Sequence, residues 1–230
     1  MAADRPVALA RTALTTPRAA AVAGIVFGIL YGASMVLLRL SIPIAGSADN
    51  AWLSPMSNWA VLALQLVPYA GIAFLWFIGV IRDRLGGLED RFFATIFLGS
   101  GLLFVGLTFV GAALAAGLLT SYETEQSEAI TSGAYSYGRA VMYNVVNVYG
   151  IRMAGVFMMS LSSIWLRTSL MHRAWPLLTI ALALVLLVSD GYYPLITLIF
   201  PGWVLAVSVH LLIRNARNQV PERIIEVSGG

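Results

Sequence analysis

The sequence predicts an all-α fold, a polytopic membrane bundle of six transmembrane helices with both termini cytoplasmic. Three observations predict it. The first is composition: of 230 residues, 59% are hydrophobic and only 11% charged, whereas a soluble domain carries about 25% charged residues to face water. The second is that the apolar residues fall in runs of roughly 20, the length a helix needs to cross about 30 Å of hydrocarbon. The third is that the polar breaks between the runs alternate in character.

Taken in order, the runs cover residues 19–38, 59–81, 92–118, 141–166, 174–191 and 193–213. Residues 1–18 form a cytoplasmic segment, 19–213 a single transmembrane domain, and 214–230 a cytoplasmic tail. The first run follows arginines, as a signal peptide does, but it is too long and lacks a small-x-small site directly after it, so it reads as a retained helix. Within it Ala20, Gly24, Gly28 and Gly32 recur at spacings of four. That puts them on one helix face, where another backbone can approach closely. This face serves packing inside the bundle or, in the sharper reading, docking of another copy or another subunit. The second run carries Gln65 and Pro68. The third is glycine-rich and reads as a close-packed central helix. An external polar loop, about 120–138, holds Glu123, Glu125 and Glu128. The last two runs share only 40 residues, divided at Ser189-Asp190-Gly191, and a broken or re-entrant sixth segment is the alternative to a full crossing.

Charge placement orients the bundle. Eleven of the 14 cationic residues, all of them arginine, lie before segment one, between segments two and three, between four and five, and after six. The acidic residues Asp49, Glu123, Glu125, Glu128 and Asp190 occupy the other breaks, so the arginine-rich breaks are read as cytoplasmic. Trp52, Trp59, Tyr122, Tyr135 and Tyr137 fall at the outer ends and Trp165 and Trp175 at the inner ends, where interfacial aromatic rings settle.

The chain has no cysteine and no lysine. That excludes thiol catalysis and iron–sulfur clusters, and any Schiff base or P-loop that needs a lysine. No nucleophile signature is present, and Ser160, Ser162 and Ser163 have no histidine at their depth. No set of residues has metal-ligand spacing. A haem between His172 and His210 is the weaker reading of two interfacial histidines. The chain is therefore expected to be no enzyme and to hold no cofactor and no metal. The segment from Arg82 to Arg91 mixes signs, as local salt bridges around a tight turn require, and the tail from Arg214 to Arg223 can touch anionic lipid.

Ionisable groups inside a span need a partner or a cavity. Arg152 of segment four and Asp190 of segment five both fall roughly 6–7 Å below the outer hydrocarbon boundary, counting a rise of 1.5 Å per residue. An ion pair between them is expected. Gln65 reaches nearly the same level. Asn144, Asn147, Gly155, Ser162 and Ser163 fall broadly on the face of Arg152, and Tyr143, Tyr149, Tyr192 and Tyr193 could close the cluster. The candidate ligand-binding residues are thus Arg152, Asp190, Asn147, Asn144, Gln65 and Tyr149. They point to an outward-facing polar cavity that binds or passes a small anionic solute or an ion. The alternative for the same residues is a structural ion pair with interhelical amides.

The stretch from Arg82 to Phe104, including Glu89-Asp90-Arg91-Phe92-Phe93-Ala94-Thr95 and Phe97-Leu98-Gly99-Ser100-Gly101, resembles multi-pass membrane proteins of high-GC, actinobacterial-type bacteria. That resemblance carries no activity; the expected location is the plasma (inner) membrane. In length, in its six spans and in the small-residue face of its first helix, the chain is also similar to the substrate-binding subunits of energy-coupling-factor vitamin transporters. That is a likeness of architecture, with no vitamin-binding motif to carry over. Two functions are therefore expected. The first is a transporter or channel that handles a small solute or ion. The second is a non-catalytic membrane subunit or scaffold that docks a partner or a second copy through the Ala20–Gly32 face. Apart from the lipid bilayer, the expected partners are those, and no nucleic acid.

Overall fold

The computed structural model describes residues 17–41, 57–85, 91–131, 133–168, 172–189 and 195–227. These are helical almost throughout, with no strand among the described residues. The helices are α1 (Pro17–Ser41), α2 (Ser57–Leu85), α3 (Arg91–Thr131), α4 (Gly133–Asn144), α5 (Ile151–Thr168), α6 (Ala174–Val188) and α7 (Ile196–Val227). A π-helical turn, Val145–Gly150, joins α4 to α5 without a break. Over the described residues the six apolar runs are thus helical apart from Ser189 and Leu195. The connection expected to be a loop over 120–138 is helix on both sides of residue 132, because α3 runs 41 residues, well past its apolar portion.

Five helical stretches are long and apolar enough to cross a membrane, α4, the π turn and α5 counting as one, and α6 is a shorter apolar helix of 15 residues. Proline sets two of the boundaries. Pro17 opens α1 with its φ already helical, and Pro176 sits in the first turn of α6, where its missing N–H costs nothing. At its other end α6 stops at Ser189, which is extended (ψ 138°) and donates its N–H to the Val185 carbonyl. Large apolar side chains point outward all along the bundle: Ile29, Tyr69, Trp76, Leu103 and Leu177 are each more than half exposed. Such a belt would be an aggregation surface in water and is the normal face toward lipid. The architecture is that of a multi-pass membrane helix bundle.

Lipid tails are as apolar as leucine, so helices in a bilayer associate by close packing and interhelical hydrogen bonds. Both are present. α1 packs along α2 and α7, and α5 packs along α3 and α6, which makes two layers of three helices. In the first layer Ser34 Oγ donates to the Ala63 carbonyl of α2 at 2.8 Å. In the second, Ser162 Oγ donates to the Pro176 carbonyl of α6 at 2.7 Å. Between the layers the filling is aromatic. Phe27, Phe74 and Phe200 from one layer meet Phe104 and Phe157 from the other, with ring centroids 4.7 to 6.3 Å apart and several edge-to-face. Each such pair contributes about 0.5–1.5 kcal/mol beyond its buried area. Trp203 extends the cluster and donates its Nε1–H to Thr179 Oγ1 at 3.0 Å, and Thr179 passes the bond to the Trp175 carbonyl.

The small-residue face of α1 is used inside this bundle. Ala20 is fully buried. A Cβ on Gly24 would collide with Ser208 Oγ and Phe77, and one on Gly28 would lie 2.9 Å from Leu205 Cβ and 3.1 Å from the Pro201 carbonyl oxygen. Gly32 faces open space. From Ala20 to Gly28 the face is therefore taken by α7 and α2 of the same chain, and only its Gly32 end is open to anything else.

Candidate functional site

The aromatic filling ends at Tyr31, Phe104 and Phe200, and above that level the side chains between the layers shrink. α3 continues with Thr108, Gly111, Ala112 and Ala115, and the space they leave is a chamber of about 230 Å³. Met35 and Leu38 of α1, Leu64 and Val67 of α2, and Thr197 of α7 close one side. Arg139, Met142, Tyr143, Val146 and Asn147 of α4 and the π turn close the other. The floor is closed by a tight apolar junction in which Tyr31, Phe104 and Phe200 meet Ile151 and Leu186. The side chains of Tyr31 and Thr108 share a hydrogen bond at this level.

The lining residues from the different helices lie at one end of the bundle. Counted along each helix from Arg18, Arg82, Arg91, Arg167 and Arg214, the residues Met35, Leu64, Thr108, Asn147 and Thr197 all lie about 25–30 Å from the arginine-rich end. Arg139 lies further out by two turns of α4 and lines the chamber from above. Its spacing with Tyr143 and Asn147, four and four, is that of one helix face. Asn147 Nδ2 donates to the Tyr143 carbonyl at 3.2 Å, which leaves its carbonyl oxygen as an acceptor. The chamber is thus an apolar cavity with one guanidinium at its mouth and a few polar atoms on its walls, the usual composition of a small-molecule pocket.

Few of the expected site residues meet here. Asn147 lines the chamber. Gln65 is exposed and lines a second void, an apolar groove between α2 and α3 that adjoins the chamber. Asn144 is exposed and turns its amide back to the Ala140 carbonyl. Tyr149 is 59% exposed and faces outward. Arg152 is half-buried and donates to the Val148 carbonyl one turn above at 3.2 Å; it lines neither void. Asp190, Tyr192 and Tyr193 lie outside the described residues, and so does the proposed Arg152–Asp190 pair. Gly155 and Ser162 belong to the contact with α6, and Ser163 bonds the Met159 carbonyl of its own helix.

The cause of the mismatch is the π turn. It inserts one extra residue into the hydrogen-bonded repeat, so faces counted across Val145–Gly150 at 3.6 residues per turn come out rotated. Gly150 suits the end of this turn, because a Cβ there would lie 3.3 Å from the Val145 carbonyl oxygen five residues back. Sequence reasoning passed over Arg139, Tyr143 as its neighbour on one face, Thr108 and Thr197. Arg139 stands at the edge of the stretch read as a loop, yet its four-and-four spacing with Tyr143 and Asn147 was the available signal. At the arginine-rich end, His210 packs on the Trp175 ring at 4.7 Å, and His172 is exposed with Nδ1 accepting from the Ala174 N–H. Arg167 lies over the Phe93 ring at 4.6 Å.

No family model, curated protein or solved structure matches this chain.

Proposed function

We propose that the chain crosses the plasma membrane six times with both ends cytoplasmic, and that it binds a small anionic solute in the outward-facing chamber between its two helix layers. The convergence of Arg139, Tyr143 and Asn147 with Thr108 and Thr197 on one otherwise apolar cavity carries this reading. A guanidinium is the side chain best suited to hold a phosphate or carboxylate by two parallel hydrogen bonds. Placement of the arginine-rich breaks on the cytoplasmic side puts the chamber at the outer face. The packed rings of Phe104, Phe200 and Tyr31 below it favour binding over an open pore. Passage of a solute to the other side would require those rings to move. The reading rests on Arg139 rather than on Arg152, whose expected partner Asp190 lies outside the described residues.

Calorimetric titration of the purified protein with glycerol 3-phosphate, beside inorganic phosphate, tests the reading. Arg139→Gln is expected to weaken binding roughly ten- to a hundredfold, the effect of losing about 1.5–3 kcal/mol of charge-assisted hydrogen bonding. Arg152→Gln is expected to bind as the unaltered protein does. Equal affinity in Arg139→Gln would remove the chamber as the site.

A further inference from the structure

The chamber does not stand alone. It shares Leu64, Val67, Ala112 and Leu119 with the groove between α2 and α3, whose volume is about 530 Å³. α2 and α3 touch closely where Gly71 leaves room for the Phe109 ring. Beyond that contact, small residues on α3 (Ala112, Ala113 and Ala116) leave the two helices apart. The outer rim of the groove is formed by Val61, Gln65, Pro68, Ala113 and Ala116, all exposed on the face where the rest of the bundle presents apolar side chains to lipid. The groove therefore opens sideways into the bilayer, while the chamber behind it lies between the helix layers.

We infer that the ligand of this site is an anionic lipid of the bilayer, with its headgroup in the chamber against Arg139 and one chain in the groove between α2 and α3. The inference rests on the proposed binding role of the chamber and names its ligand class. Three observations on the structure favour an amphiphile over a free anion. The first is adjacency: the two cavities share Leu64, Val67, Ala112 and Leu119 as lining, and Arg139 lines the chamber alone, so a charged headgroup and its chain would sit side by side. The second is size. At about 230 Å³ the chamber is below the roughly 300–1,000 Å³ of pockets that enclose a whole ligand, whereas the groove falls inside that range. The chamber fits a headgroup, and the groove fits what is attached to it.

The third observation is depth. Along α2 and α3 the groove extends from about 20 Å, at Pro68, to about 43 Å, at Thr120, from the arginine-rich end. The hydrocarbon boundary lies at about 30 Å and the headgroup layer just beyond it. A lipid of the outer leaflet has its chain at the lower of these depths and its charged group at the upper, where Arg139 reaches. A lipid could therefore enter from the side without leaving its own level in the membrane.

The test uses the full chain, delipidated in detergent and exposed to phosphatidylglycerol or phosphatidylcholine, with bound lipid counted by native mass spectrometry. Phosphatidylglycerol is expected to be retained roughly tenfold over phosphatidylcholine, and Arg139→Gln to remove that preference. Gln65→Phe, and independently Val61→Phe, place a ring in the groove from exposed positions about 26 and 32 Å from the arginine-rich end, where the chain would lie, and neither residue lines the chamber. They are expected to lower retention of phosphatidylglycerol while leaving glycerol 3-phosphate binding unchanged. Equal retention of the two lipids, or full retention in both groove variants, overturns the lipid assignment. If glycerol 3-phosphate then still binds in an Arg139-dependent way, the chamber stands as a site for a soluble anion. If neither ligand responds to Arg139→Gln, the binding role falls with it.

Discussion

Gly24 and Ser208 show how tightly single atoms set the fit between α1 and α7. Ser208 is fully buried and its hydroxyl has no hydrogen-bond partner, yet it occupies the space that a side chain on Gly24 would need. Removing the hydroxyl should cost little, since no bond is lost. Adding a methyl at Gly24 should cost about 1–3 kcal/mol, as overpacking does. The two changes should not add: Gly24→Ala is expected to be less damaging by on the order of 1 kcal/mol in a Ser208→Ala background. Part of the cost should remain, because Phe77 also lies 2.8 Å from the added carbon. Unfolding of the four proteins in detergent closes this cycle, and a coupling of zero would mean that α1 and α7 do not meet as described. The spacing of Ala20, Gly24 and Gly28 made this face legible in the sequence, though not the helix that fills it. For the polar residues the position was reversed. Depth could be counted from the arginines, but Arg152 and Arg139 differ in azimuth, and azimuth depends on the hydrogen-bonding pattern between them.

That pattern belongs to an element, the π turn of Val145–Gly150. All six apolar helices were legible from run length, because nothing but a helix satisfies its backbone in lipid. A turn with one residue too many leaves no mark in composition, so faces counted across it at 3.6 residues per turn come out rotated. The turn also positions the chamber wall, since Val146 packs against Gly111 of α3. A Cβ on Gly111 would lie 3.7 Å from Val146 Cβ, close to the roughly 3.8 Å separation of a disulfide. The chain has no cysteine of its own, so the pair Gly111→Cys with Val146→Cys is expected to form an intramolecular disulfide under mild oxidation. Deleting Val148 should convert the π turn to ordinary helix and leave α4 and α5 on their present faces, because the wide turn absorbs the one extra residue. In that background the disulfide should still form and Arg139-dependent binding should be retained, with far-UV circular dichroism helical throughout. A disulfide lost on the deletion would show that the turn does not absorb the extra residue in this way.

For the whole molecule the open question is the path of α6, on which the sidedness of the C-terminus depends. Fifteen residues span about 22 Å, some 8 Å short of the hydrocarbon thickness. Three extended residues would cover that difference, and Ser189 at its end is already extended. Hydrophobic mismatch of this size costs only fractions of a kcal/mol per Å and is met by local thinning of the bilayer. A broken, re-entrant segment would instead have to satisfy its freed backbone groups inside protein, and α6 touches α7 only slightly. Its polar attachments, Ser162 to Pro176 and Trp203 to Thr179, lie near its arginine end. Its far end packs on α5 on one side, through Ala183 and Leu186, while Val188 on the other side is 79% exposed, which favours a full crossing. Single cysteines at Tyr137, His172, Leu195 and Arg214, all exposed, test this in intact cells with a membrane-impermeant maleimide. Six crossings require labelling at Tyr137 and Leu195 from outside, and protection of His172 and Arg214 until the membrane is opened. Protection at Leu195 together with labelling at Arg214 would mean that α6 returns to the side it came from, leaving five crossings and opposite termini. Arg139 and the chamber would keep their side in either case, because α1 to α5 fix it before α6 begins.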